Sequence, residues 1–226
     1  MAVNRGGKIV TDGLVFCSDF GSKRSYNGIG NIKDLVGNNN CNLVNAPEFG
    51  DDRAAGYFIF DGTNDGLTTT NNLGITGASE RTYNIWFYYV GGTRNICGYG
   101  SNSTLKLNDF MSYSSGGFHR FILHCYGGGA DTISTLPSRN TLNLNNWNSV
   151  TVTYDGNAAH VYTNGVFSNS KSLSLNTTDS QFKIGLGYYS GYNSFNSMIS
   201  SVKIYNRSLS AQEIKQNYNS TRGRFE

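Results

Sequence analysis

The sequence predicts an all-β sandwich or barrel that closes on one short helix, and three observations predict it. Ten short segments of alternating or continuous apolar residues recur along the chain, separated by turn-forming residues. Glycine (28), serine (25) and asparagine (29) fill more than a third of the 226 positions, against two prolines and four glutamates, which favours turns over long helices. Only "SLSAQEIKQNY", residues 208–218, carries convincing helix-capping chemistry. No linker or internal repeat divides the chain, and all-β folds of this length are commonly one domain.

In chain order, strands are expected at 13–20, 41–44, 56–62, 81–90, 94–100, 118–127, 147–156, 158–166, 180–188 and 198–206. The clearest pair is "NSVTVTYDGNAAHVYTNGV". Val150, Val152 and Tyr154 alternate with polar neighbours, Asp-Gly-Asn turns the chain, and His160, Tyr162 and Asn164 alternate with Ala159, Val161 and Thr163. Asp-Gly and Asn-Gly steps accept positive φ at low cost and so set hairpins. Trp86 and Trp147 fall among apolar strand neighbours and are expected in the core. After the last strand, Ser210 is positioned as N-cap with Glu213 as its capping-box partner. Leu209 and Ile214 can staple across the cap, and Ile214 and Tyr218 share one face of a helix about two turns long.

Composition excludes several classes. Eighteen basic and 15 acidic residues give +3 without charge runs, apart from the small basic tail "TRGRFE", so neither nucleic acid nor an anionic membrane is an expected partner. The N-terminus has no apolar run long enough for a signal peptide, and no segment is apolar enough to span a membrane; synthesis and folding in a cytoplasm are expected. Cys17, Cys41, Cys97 and Cys125 form no CxxC or Cys/His cluster and read as reduced, buried thiols, not zinc ligands. His119, His124 and His160 are the only histidines, and without a G-x-S-x-G elbow they read as hydrogen-bonded sheet residues.

The ordered succession "GLVFCSDFGSKRSYNGIGNIKDLVGNNNCNLVNAPEF", "FIFDGTNDGLTT", "YNIWFYY", "WNSVTVTYDGNAAHVYTNGV", "FKIGLGYY" and "MISSVKIYNRSLSAQEI" resembles the concanavalin A-like, laminin-G-like jelly-roll family, in particular free-standing domains of tailed-bacteriophage virion proteins. The resemblance implies a two-sheet antiparallel jelly-roll sandwich, one sheet concave, with a short C-terminal helix. It implies an N-terminal arm at 1–11, the domain at 12–220 and a tail at 221–226. Family members include lectins, adhesion modules, glycosidases and capsid or fibre components, so the fold leaves function open.

Laminarinase-like members use an E-x-D-x-E strand, because acid and nucleophile must flank one glycosidic bond. This chain has no such motif, and Glu213 is committed to the helix cap, so no enzymatic activity is expected. Calcium is the candidate cofactor, since related domains hold it on rim loops: Asp61, Asn64 and Asp65 offer hard oxygen ligands within five residues, with Asp51 and Asp52 nearby. The competing reading is that Asp61 and Asp65 shape a glycine turn. For sugar or partner binding the candidates are Tyr188, Tyr189, Tyr192 and Asn193, with Phe195, in a loop of aromatic, glycine, serine and asparagine residues. The function expected from sequence is a virion structural protein, a capsid decoration or fibre module. It would bind other virion subunits and cell-surface or environmental glycans and self-associate about a symmetry axis. A non-viral lectin is the alternative, and a laminarinase-like glycosidase the third reading.

Overall fold

The structure is a computed structural model that describes residues 7–51, 56–101, 103, 107–125, 132–134, 141–187 and 194–226. In chain order the strands are β1 (Leu14–Asp19), β2 (Cys41–Val44), β3 (Glu48–Gly50), β4 (Tyr57–Ile59), β5 (Gly66–Asn72), β6 (Arg81–Tyr89), β7 (Arg94–Gly100) and β8 (Leu107–Ser115). They continue with β9 (Phe118–His124), β10 (Thr132–Ser134), β11 (Asn146–Tyr154), β12 (Ala158–Thr163), β13 (Val166–Ser172), β14 (Gln181–Ile184) and β15 (Met198–Tyr205). Every pairing between them is antiparallel.

The first sheet runs β13-β12-β11-β6-β15-β4-β3, and the second β10-β9-β8-β7-β14-β5-β2. One edge of β15 is shared: its N-terminal end pairs with β4 and its remainder with β1. Phe16, Phe58, Ile85 and Val152 from the first sheet meet Ile96, Phe110, Leu123 and Phe182 from the second in one continuous buried core. This is the two-sheet sandwich expected from sequence. The hairpin of β11 and β12 is the expected one, with Val152 opposite Val161, and Gly156 supplies the positive φ (94°) in its turn.

Five strands, β3, β5, β8, β10 and β13, were not legible in the sequence. β5 is "GLTTTNN" and β13 is "VFSNSKS", strands whose polar positions blur the alternation. Cross-strand hydrogen bonding holds them in place where intrinsic patterning does not. All four cysteines are buried and unpaired with one another; burial pushes the Cys41 and Cys97 thiols well above their ordinary value.

The C-terminal helix α1 (Ala211–Thr221) is one turn longer than expected, but its cap is the expected one. Ser210 Oγ accepts from the Glu213 N–H at 3.3 Å, and Glu213 Oε2 accepts from the Ser210 N–H at 2.9 Å. Leu209 and Ile214 pack with Tyr162 and Tyr205 on the outer face of the first sheet. Trp86 and Trp147 are buried, yet not between the sheets: they lie on that same outer face, beneath Tyr218 and Phe225. The segment Arg222–Arg224 forms a 3-10 turn, and Arg224 makes a two-pronged ion pair with Asp19 at 2.7 and 2.8 Å.

Arg207 completes the cap, its guanidinium meeting the Glu213 carboxylate at 2.6 and 3.1 Å. That bond, followed by the Ser210 bonds and opposed by partial burial, lowers the Glu213 pKa from 4.5 to about 2. A folded pKa below the unfolded one stabilises the native state above the unfolded value, and the contribution fades as pH falls through the folded value. The stability difference between the wild type and Glu213→Gln should therefore be constant above pH 5 and shrink between about pH 4.5 and 2. Its plateau should be on the order of 2 kcal/mol after discounting for partial solvent screening. Urea unfolding at stepped pH measures it, and a pH-independent difference would remove the cap ion pair from the account.

Candidate binding cleft

The connection from β1 to β2, residues 20–40, has little regular structure but is held by one buried acid. The Asp34 carboxylate accepts four backbone N–H groups: Oδ1 from Cys17 (3.0 Å) and Val36 (3.2 Å), Oδ2 from Gly37 (3.1 Å) and Asn39 (3.4 Å). The Asp34 N–H donates in turn to Asn40 Oδ1 at 3.1 Å. Ser25 adds a second tie, its hydroxyl donating to the Lys33 carbonyl at 2.8 Å and accepting from the Asp19 N–H at 3.3 Å. A loop whose polar backbone is satisfied internally can present side chains in fixed positions.

This loop and β3 enclose a cleft of about 470 Å³. Phe20, Tyr26 and Phe49 form its apolar wall, and Lys23, Asn27 and Asp51 stand exposed at its mouth. Phe49 is half-buried and is backed by Tyr26 at 4.8 Å between ring centroids, in an edge-on arrangement, and by Phe58 at 5.4 Å. Such aromatic pairs fix ring orientation as well as burying area. Glycine is required on the cleft's far rim: Gly56 has φ +54°, and a Cβ there would lie 2.6 Å from both the Gly21 Cα and the Phe20 carbonyl oxygen.

Of the residues singled out from sequence, Asp51 stands at the cleft's mouth, and the others that the structure describes fall elsewhere. Tyr188, Tyr189, Tyr192 and Asn193 lie outside the described residues. Phe195, which follows them, is a core residue, 1% exposed and packed edge-on against Phe87. Asp61, Asn64 and Asp65 form the turn from β4 to β5, where Asp61 Oδ1 accepts the N–H groups of Thr63 (2.7 Å), Asn64 (3.2 Å) and Asp65 (3.4 Å). Those bonds, the Thr63 one foremost, hold the Asp61 carboxyl below its ordinary value, while burial and then Asp61 raise that of Asp65. The Ser194 hydroxyl donates to the Thr63 carbonyl at 3.1 Å, so this turn touches the residue between Asn193 and Phe195. Among the described residues no three Asp, Glu, His or Cys side chains are grouped so as to hold a metal ion.

Apart from Asp51, named with the calcium candidates, the cleft residues were not found from sequence. A signal was present: "FGSKRSYNGIGNIK" sets an aromatic pair and three cations among glycine and asparagine within 14 residues. Without the loop's folded path, these read as scattered charges.

The fold carries a family match. A model of the laminin-G type, described as the concanavalin A-like lectin/glucanases superfamily, matches residues 61–215, more than half of the chain. The chain belongs to the concanavalin A-like lectin/glucanases superfamily. No curated protein matches it by sequence. Among solved structures, this superfamily member superimposes on domain 4 of AbnA, a GH43 extracellular arabinanase from Geobacillus stearothermophilus, in complex with arabinotriose. The TM-score is 0.67 at 13% identity, over 91% of this chain and 98% of that domain. The binding domain of botulinum neurotoxin DC, in complex with SialylT, gives a TM-score of 0.68 at 16% identity, over 92% of this chain and 52% of the other. Trypanosoma rangeli sialidase gives 0.65 at 18% identity over 95% of this chain, which spans 34% of that enzyme. At such identities the likeness is one of fold.

Proposed function

We propose that the chain is a non-catalytic carbohydrate-binding module and that the cleft at Phe20, Tyr26 and Phe49 is its sugar site. The observation that carries this reading is the cleft's chemistry. A partly exposed, well-backed aromatic ring suits the CH face of a sugar, while Lys23 and Asn27 can donate to ring hydroxyls and Asp51 can accept from them. The arabinotriose and SialylT complexes of structures with the same fold support it. The absence of a paired acid in the second sheet supports a binding role over hydrolysis: its strands contain one acid, Asp109, where a retaining glycosidase needs two carboxylates about 5 Å apart.

A glycan array followed by titration calorimetry tests the proposal. Phe49→Ala and Asn27→Ala should each weaken the best ligand about tenfold, the scale of a central contact residue. Undiminished affinity in both variants would remove the cleft from consideration. Because Asp61 Oδ1 already holds three backbone N–H groups, calcium is left out of the proposed site, and affinity is expected to survive EDTA. A chelator-dependent loss would restore Asp61, Asn64 and Asp65 as calcium ligands.

The narrower reading, a phage virion subunit, draws its support from the order of sequence motifs, and none of the matched structures described above is a phage protein. Mass spectrometry of purified particles tests it: a fixed copy number would place the chain in the virion, and absence would discard that setting while leaving the sugar site in place.

A further inference from the structure

The outer side of the β1–β2 loop forms a second cleft, of about 440 Å³, that shares Lys23 and Asn27 with the aromatic one. Its charged lining is Lys23, Arg24 and Lys33, joined by the amides of Asn27, Asn31 and Asn40, and it includes no acid among the described residues. All three cations are exposed, and none forms an ion pair among the described residues. The loop does contain an acid, but Asp34 is turned inward, 8% exposed, with its carboxylate on four backbone N–H groups. The same contacts that make the loop rigid thus keep its one internal counter-charge away from the cations.

Three cations on a rigid loop repel one another, and a loop free to relax would separate them or pair them with acids. Here they converge on a concave surface lined with amide donors, which is the arrangement that holds carboxylate or sulfate groups. The shared wall matters most. Lys23 and Asn27 face both clefts, so a ligand whose sugar ring sits on Phe49 would extend its acidic substituent directly into the basic cleft.

We infer that this module selects acidic oligosaccharides, with the neutral ring in the aromatic cleft and a carboxylate or sulfate held by Lys23, Arg24 and Lys33. The inference rests on the sugar-binding reading above and specifies its ligand class. The overall charge of +3 gives little hint of it, because the selectivity comes from where the cations are gathered, not from their number.

The test uses the full chain and paired probes: 3′-sialyllactose against lactose for a carboxylate, and a heparin hexasaccharide against its desulfated form for a sulfate. At least one probe should bind about tenfold or more tightly than its partner lacking the tested acidic group at 50 mM salt. That preference should shrink at 0.5 M salt, where screening shortens to a few ångströms. The double variant Arg24→Ala/Lys33→Ala, confined to exposed side chains that line only the basic cleft, should lose most of the preference while keeping the affinity for the partner without the acidic group and the wild-type melting temperature. Equal binding within both pairs overturns this inference and leaves the aromatic site standing. Retention of the full preference in the double variant overturns it too, as does binding to phosphatidylserine vesicles with none to the acidic glycans. Loss of all glycan binding by the wild type ends both readings. Whichever of the two pairs shows the preference identifies the acidic group.

Discussion

Replacing Asp34 with alanine is expected to cost about 3–4 kcal/mol of stability and to abolish glycan binding in the fraction that remains folded. Four backbone N–H groups converge on this carboxylate, one of them from Cys17 in β1, the others from Val36, Gly37 and Asn39 in the loop. Hydrogen bonds to a charged acceptor are each worth about 1.5–3 kcal/mol, but a loop can open and return its outer groups to water, so the total falls below a simple sum. The Cys17 N–H has no such escape, because that residue is 4% exposed. Asp34→Asn is the informative companion, since it keeps the shape but puts an amide donor against some of these donors, and it should fall between the wild type and Asp34→Ala. Urea unfolding gives the stability, and calorimetry at a temperature where both variants are folded gives the binding. Full glycan affinity in a folded Asp34→Ala protein would show that the loop does not need this anchor to form the site.

Trp86→Ala should be the most destabilising change on the outer face of the first sheet, at about 4 kcal/mol. The indole is 2% exposed and stacks on Phe225 at 4.0 Å and on Tyr218 at 5.6 Å, with interplanar angles of 12° and 9°. Its Nε1–H donates to Thr221 Oγ1 at 3.1 Å. Removing it strips α1 and the C-terminal segment of the apolar surface they were built on, leaving the hydroxyl, Tyr218 and Phe225 facing a cavity. The Arg224–Asp19 ion pair would then hold an end that no longer packs. Phe225→Ala removes one side of the stack only and should cost about half as much. A loss below about 1 kcal/mol for Trp86→Ala would mean that the helix rests on Leu209 and Ile214 alone. Circular dichroism in the near-ultraviolet follows the ordering of the aromatic cluster directly.

The fold was legible wherever local chemistry and global packing agree. The Asp155-Gly156-Asn157 turn and the alternation on either side of it specify their hairpin without help from the rest of the chain, and Ser210 with Glu213 specifies the helix start. Strands such as β5 and β13 were illegible because their polar residues take a strand conformation only once neighbours supply the hydrogen bonds. The two tryptophans show a subtler gap. Their burial could be read from apolar neighbours, but not the face: Trp86 belongs to a nine-residue strand buried on both sides, so alternation gives no inside or outside. Only the docking of α1 and Phe225 turns that second face into a small core of its own.

The binding cleft lies at the far end of this scale. The Lys23–Arg24 pair, Lys33 and Phe49 are separated by stretches rich in glycine and asparagine that carry no periodic signal, and their meeting depends on the path imposed by Asp34. What the sequence by itself determined was an all-β chain, its principal hairpin and its capped terminal helix, because turn glycines, strand alternation and capping residues act over a few neighbours. What only the tertiary structure decided was the place where aromatic rings and unpaired cations share a wall, because that depends on hydrogen bonds between distant backbone groups and one inward-facing carboxylate.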